Sequence, residues 1–202
     1  MSSSFRHGAG WLLVSTAAAC AKSAPGTSVV VAPVQALAPA TSAADILAER
    51  DIRRTLDTLY AAFSFNAGAE PDWATQRAVF LPGAAFVDPV TPGTAPRAIG
   101  ADEFLANFRR WVITDSTLRG GFRERIVTLR IDHFGHVAHA YVTFEGFVPQ
   151  PGVSTPPART RGVDSVQLVR DDHGRWRVAS FTTQYEGPGA PLPARFGGHP
   201  AT

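Results

Sequence analysis

The stretch RGVDSVQLVRDDHGRWRVASFTTQYE, residues 161–186, decides the fold prediction for this chain. From Asp164 to Arg170 polar and apolar side chains alternate with a period of two, which is typical of a strand. The sequence DDHG at 171–174 supplies a polar turn, whose glycine can take the positive φ of a tight reversal. A second alternating run follows from Trp176 to Gln184. The stretch therefore predicts a long β-hairpin.

An unbroken second strand would divide its side chains between two faces. One face is predicted to carry Trp176, Val178, Ser180, Thr182 and Gln184. Both faces mix polar with apolar side chains, so we expect the hairpin to be covered on one side and to line a site on the other. An ordinary half-buried antiparallel pair is the alternative.

The composition limits the class of protein. A chain of 202 residues allows one domain with tails, and its 45% hydrophobic content is that of a globular domain with a core. The net charge is only +2, Lys22 is the single lysine and the arginines are scattered. A nucleic-acid surface needs a basic stripe, so none is expected. Cys20 is the single cysteine, so no internal disulfide is possible.

The N-terminus has the pattern of an export signal. Residues 1–19 combine a basic start, the short apolar run WLLV at 11–14 and a small-residue ending. The sequence AAAC at 17–20 resembles a bacterial lipobox, which implies a lipid on Cys20 and a periplasmic, membrane-anchored protein. Plain secretion and a chance apolar start are the alternatives. Residues 20–41 have almost no charge and no sustained period, which predicts a disordered linker.

The first folded element is predicted to be a helix. Ser42 and Asp45 have the spacing of a capping box, and the helix is expected to stop at 66–68. Its inner face recurs at helical spacing through Ile52, Leu56, Leu59, Tyr60 and Phe63. Asp72 is predicted to cap a short second helix that ends at Pro82-Gly83.

The later elements give the architecture. A third helix is predicted at 101–112, and strands at 84–87, 125–131 and 137–148 before the hairpin. Early helices and late strands indicate an α+β fold, a curved antiparallel sheet with three N-terminal helices packed on its concave face. Such a cone encloses a pocket. The domain is predicted to span 42–187, followed by a disordered tail at 188–202.

This pattern resembles the nuclear-transport-factor-2-like (NTF2-like) superfamily, which includes SnoaL-like cyclases and ketosteroid isomerases. The similarity is carried by RG at 161–162, QLVR at 167–170 and GRWRVAS at 174–180. It implies the cone-shaped fold and a homodimer through the sheet face, but many chemistries share this fold.

A second segment, FVDPV at 86–90, resembles the ketosteroid-isomerase motif whose aspartate is the general base. The resemblance implies that Asp88 is this base and Asp164 a protonated acid in an oxyanion hole. The family's tyrosine position falls on Ala61, one residue after Tyr60. Tyr60 is therefore either the third member of the site or a core residue. Asp88 could also form a turn before Pro89.

Other candidate residues lie on strands and helices. His139 alternates with Tyr141 along a strand and could share an acid–base role, or this face could be exposed to solvent. His133, His136 and His139 are separated by the turn at Gly135, so no metal site is expected, and no cofactor motif is present. The predicted ligand-binding side chains are Trp73, Phe86, Trp111, Tyr141, Phe144 and Gln184.

Three functions are compatible with these patterns. The first is an exported module that binds a small, mainly apolar molecule in the cone. The second is an isomerase, cyclase or dehydratase that uses Asp88 or His139 to move a proton next to a carbonyl. The third is a structural module that dimerises through its sheet. A desolvated carboxyl with a raised pKa in the pocket would favour the second over the first.

Overall fold

The computed structural model describes residues 42–87, 93, 95–154 and 156–197. Within these residues the helices are α1 (Ala43–Phe63), α2 (Trp73–Val79) and α3 (Ala101–Thr114). The strands are β1 (Phe65–Asn66), β2 (Phe80–Val87), β3 (Ala98–Gly100), β4 (Gly121–Phe134), β5 (Val137–Phe147), β6 (Thr160–Arg170) and β7 (Trp176–Tyr185). Short 3₁₀ segments cover Ser116–Gly120 and Ala194–Phe196. The predicted signal peptide, linker and lipidated Cys20 lie outside the described residues, as does Asp88.

The strands form one curved, open sheet in the order β1-β4-β5-β6-β7-β2-β3. The predicted α+β architecture is confirmed. All described pairs are antiparallel except β2 and β7, which run parallel. The expectation of a purely antiparallel sheet is wrong at this pair, because β2 and β7 are joined by a long crossover rather than a hairpin. No helix in the described part of the chain is long and apolar enough to span a membrane.

Helix α1 forms where its capping box and apolar stripe predict. The Ser42 side chain accepts a hydrogen bond from Asp45 N–H, and the Asp45 carboxylate accepts one in return from Ser42 N–H. The helix ends at Phe63, three residues before the predicted end, because Phe65 and Asn66 leave it to pair with β4 as strand β1. Gly121, opposite Asn66, has φ +88 and leaves no room for a Cβ, which would lie 2.7 Å from the Phe65 carbonyl oxygen.

Strand β2 begins earlier than the sequence indicated. Helix α2 ends at Val79 and the chain enters the strand at Phe80, so Pro82 and Gly83 lie inside β2. Proline is tolerated there because the ladder with β7 is interrupted between Phe80 and Ala85.

We call the sheet face that packs against the helices the inner face. It carries Ala138, Ala140 and Val142 from β5, and Asp164 and Val166 from β6. In β7, the extra residue Ala179 forms a bulge, since Val178 pairs with Leu168 and Ser180 with Gln167.

This bulge overturns the predicted division of β7 into two faces. It shifts the alternation by one residue. As a result Trp176 and Val178 share the buried side of β7 with Phe181 and Thr183, whereas Gln184 is exposed.

The outer face of the sheet is partly covered by residues 187–197, most of the segment predicted to be a disordered tail. Leu192 is buried, the Phe196 ring lies 5.4 Å from the Tyr141 ring, and Thr143 donates a 3.0 Å hydrogen bond to the Phe196 carbonyl. Its apolar side chains give this segment surface to bury. Homodimerisation through the outer face stays a prediction, which sedimentation velocity of the full chain would test.

Candidate functional site

A cavity of about 270 Å³ lies between the inner face of the sheet and the helices α1 and α3. Its walls are mainly aromatic. The aromatic lining comprises Phe63, Phe104, Phe108, Trp111, Phe122, Phe144, Phe181 and Tyr185. Two carboxyl groups, those of Glu124 and Asp164, also line it. No arginine, lysine or histidine of the described residues does so.

Two glycines shape the cavity by letting aromatic rings lie over neighbouring strands. A Cβ on Gly146 would lie 2.6 Å from the Phe122 ring, and one on Gly162 would lie 2.9 Å from the Phe144 ring. Both rings line the cavity. The missing side chains therefore set how deep the rings sit, and hence the width of the site.

Asp164 lies at the centre of the site, on β6 between Val142 of β5 and Thr183 of β7. Only 3% of its surface is exposed. The Tyr60 hydroxyl, from α1, donates a short hydrogen bond to Asp164 Oδ2. Oδ1 is buried and accepts no hydrogen bond of good geometry from the described residues.

Burial raises the pKa of Asp164 to about 7, although the hydroxyls of Tyr60 and Thr183 oppose this rise by favouring the carboxylate. Burial also raises the pKa of Tyr60 well above its ordinary value, and the negative charge of Asp164 adds to this effect. Tyr60 therefore remains a phenol and a hydrogen-bond donor at physiological pH.

Glu124 is the second carboxyl and was missed by the sequence analysis. Burial, and then the charge of Asp164, raise its pKa to about 8. Its backbone N–H is held by Ser64 Oγ at 3.0 Å, but no described residue forms a hydrogen bond or ion pair with its carboxylate. Its neighbour Arg125 pairs instead with Glu145, at 2.6 Å.

The sequence held a signal for Glu124 that depended on the start of β4. The strand was predicted to begin at residue 125, whereas it begins at Gly121. Extending it backwards would have placed Phe122, Glu124 and Ile126 on one face by simple alternation.

Tyr185 completes the polar part of the site from the end of β7. Its ring is partly exposed and packs against Phe144 at 5.9 Å. Burial raises the pKa of its phenol, followed by the charges of Glu124 and Asp164. Tyr185 was not among the predicted site residues.

The structure brings together some of the predicted site residues. Tyr60 and Asp164 are hydrogen-bonded, and Trp111 and Phe144 line the cavity. Tyr60 reaches Asp164 although the motif spacing placed the family's tyrosine one residue later. Val87, which also lines the cavity, directly precedes Asp88, which lies outside the described residues.

Two of the other predicted residues lie behind the cavity wall. Phe86 is 1% exposed and stacks on Phe104 at 4.3 Å. Trp73 packs against Phe108 at 5.7 Å, and its indole N–H donates to Glu70 at 2.7 Å.

The remaining predicted residues, His139, Tyr141 and Gln184, do not line the cavity. The strand alternation places them on the outer face, opposite to the inner-face residues. His139 Nε2 there shares a 3.0 Å hydrogen bond with Ser165 Oγ. His139 and Asp164 are thus separated by the sheet and cannot form one acid–base site.

Comparison with solved structures identifies the fold. A protein with a cystatin-like fold from Caulobacter vibrioides matches with a TM-score of 0.51 and 17% identity, over 70% of this chain and 91% of that one. A provisionally assigned dehydratase of the NTF2-like family from Streptomyces avermitilis gives 0.51 and 14%, over 69% and 96%. The association domain of C. elegans CaMKII gives 0.50 and 15%, over 70% and 98%.

At these identities the similarity establishes the fold alone. The chain has the cystatin-like fold that these NTF2-like proteins share, which confirms the predicted fold. No protein-family model and no curated protein sequence matches it.

The two carboxyls predict an unusual pH dependence of stability. Folding raises their pKa from 3.8 to about 7 for Asp164 and from 4.5 to about 8 for Glu124. Between these limits the folded state keeps protons that the unfolded state releases, so the free energy of unfolding falls as pH rises from about 4 to 8. Asp164→Asn and Glu124→Gln each remove one of these carboxyls. The free energy of unfolding of each variant, relative to that of the wild type, should therefore rise by on the order of 2 kcal/mol between pH 5 and pH 8.

Urea denaturation at several pH values measures this difference. Asp132→Asn, whose carboxylate is 74% exposed, is the control and should follow the wild-type profile. If the free energies of unfolding of the wild type and of both cavity variants change in parallel across the pH range, the prediction is contradicted.

Proposed function

We propose that this protein binds a small, mainly apolar molecule in the cavity. The observation that carries the proposal is the aromatic wall around about 270 Å³ of space, with a few polar groups converging on one part of it. Ligand pockets in proteins have this composition, and their volumes begin at about 300 Å³. A ligand of roughly one ring with a short substituent suits the space.

A neutral aromatic alcohol, 2-phenylethanol, is the first probe. Asn107 lines the cavity from α3, whereas its neighbour Ala106 is exposed. Replacing Asn107 with phenylalanine fills the space, so Asn107→Phe should weaken binding at least tenfold, about 1.4 kcal/mol or more. Isothermal titration calorimetry measures the affinities. Ala106→Phe adds the same ring outside the cavity and should bind like the wild type; equal loss in both variants, or no wild-type binding, contradicts the proposal.

A second candidate function is proton transfer next to a carbonyl group, in the manner of an isomerase, cyclase or dehydratase. It is favoured by Asp164 and Glu124, whose raised pKa values place both near neutrality, and by the phenol of Tyr60 beside Asp164. A protonated carboxyl can donate a hydrogen bond to a developing oxyanion. Asp88 is proposed as the base on the strength of its sequence motif.

Deuterium exchange tests this second candidate without knowledge of the substrate. The wild type in heavy water should exchange the α-hydrogens of a small aromatic ketone, acetophenone, faster than Asp88→Asn or Asp164→Asn, by tenfold or more. Proton NMR follows the loss of the methyl signal. Asp132→Asn should retain the wild-type rate, and exchange equal in all four proteins would exclude Asp88 and Asp164 from the chemistry.

We further propose that the protein is exported and anchored to a membrane through Cys20, a proposal supported by the lipobox-like sequence AAAC at 17–20. In a bacterial host the mature wild type should incorporate a labelled fatty acid and begin at Cys20. Cys20→Ser should lose the label. Mass spectrometry of the N-terminal peptide shows both where the mature protein begins and whether it carries the fatty acid. A wild-type protein that retains residues 1–19 and carries no label would overturn the proposal.

A further inference from the structure

The charge of the cavity is unlike that of the rest of the molecule. The chain carries a net charge of +2 and many arginines, yet the described lining of the cavity contains two acids and no base. Several acids elsewhere have arginine partners: Glu145 lies 3.0 Å from Arg161, and Asp171 lies 3.0 Å from Arg177. Glu124 and Asp164 are without such a counter-ion among the described residues.

Two like-charged groups that face one apolar space destabilise each other when ionised. Burial disfavours the ionised form of each, and the charge of Asp164 disfavours that of Glu124 further. A cation placed between them would offset both costs at once. The buried Oδ1 of Asp164 provides an acceptor that no described donor satisfies with good geometry.

The aromatic walls suit a cation for an independent reason. The faces of aromatic rings carry partial negative charge, and organic ammonium groups bind favourably over them. Trp111, Phe144 and Tyr185 all line the same cavity as the two carboxyls. Rings and carboxylates together therefore favour an ammonium group over a neutral or anionic group of the same size.

We propose that the ligand is an organic cation: a protonated amine on an aromatic or aliphatic body, whose ammonium group lies between Glu124 and Asp164. This rests on the proposed binding function and names its ligand class. The ammonium N–H groups donate to the Glu124 carboxylate and to Asp164 Oδ1, while Tyr60 continues to hold Oδ2. The apolar body fills the space between the rings.

Binding of the amine is coupled to proton release. Near neutral pH the two carboxyls are partly protonated in the ligand-free cavity, and the incoming ammonium favours loss of these protons. Among the described residues, the other titratable groups that face them are the phenols of Tyr60 from α1 and Tyr185 from β7, which stay protonated. Helix α3 contributes no titratable side chain to the described lining.

Three probes of one shape separate the contribution of charge from that of shape: 2-phenylethylamine, 2-phenylethanol and phenylacetate. With the full chain at pH 8, calorimetry should give a Kd for the amine at least tenfold lower than for the alcohol, and no detectable binding of the carboxylate. At pH 5.5 the preference for the amine should shrink, because both acids are then protonated. Amine titrations in buffers of different ionisation enthalpy should show net proton release near pH 7.

Variants assign the effect to the two acids. Glu124→Gln and Asp164→Asn should each lose at least tenfold in amine affinity at pH 8, and their preference for the amine over the alcohol should fall by the same factor. Urea denaturation shows that both variants are folded. Asp132→Asn should keep the wild-type amine affinity.

The outcomes separate this inference from the proposed function. Equal affinities for amine and alcohol, or tighter binding of phenylacetate, overturn the cation assignment and leave a neutral or anionic ligand in the same cavity. Binding of none of the three probes overturns both proposals. Retention of the amine preference in both cavity variants would place the amine elsewhere and overturn the assignment as well.

Discussion

The hydrogen bond between Tyr60 and Asp164 ties the last turn of α1 to the middle of the sheet, beside the cavity. Both side chains are 3% exposed. Removing either partner would leave the other buried without its hydrogen bond, at a cost of about 1–3 kcal/mol. Tyr60 also packs against the Phe63 and Phe144 rings, at 6.3 and 6.4 Å, so the same residue sets the height of the helix above the sheet and the wall of the cavity.

This arrangement places two acids, Glu124 and Asp164, beside an aromatic cavity, where desolvation of their carboxyls destabilises the fold. A core of this size could be closed by hydrophobic side chains at positions 124 and 164, which would remove the desolvation cost. The chain instead has two carboxyls that face one cavity. It also has glycines at 146 and 162, against which aromatic rings of the cavity wall pack. Groups that weaken the fold and line a cavity point to a ligand rather than to packing.

Most of the fold could be predicted from local patterns, because those patterns have local causes. The capping box at Ser42 and the turn at Gly174 each depend on residues within a few positions. The face of β7 could not be predicted, since the bulge at Ala179 leaves no mark in the alternation itself. Glu124 was missed for a related reason: the pairing of Phe122 with Phe65, distant in the chain, starts β4 early.

The residues of the site also depend on long-range packing, which local sequence patterns do not show. Alternation correctly grouped His139 with Tyr141, but which sheet face meets the helices is decided by the packing of whole elements. The inner face is covered by α1 and carries Ala140 and Val142, whereas His139 and Tyr141 lie on the outer face. On the outer face carboxylates have arginine partners, as Glu145 has in Arg125 and Arg161. The sheet thus separates carboxylates that are paired with arginine on its outer face from the two unpaired carboxyls at the cavity. The electrostatics of the cavity therefore follow from Glu124 and Asp164 rather than from the net charge of the protein.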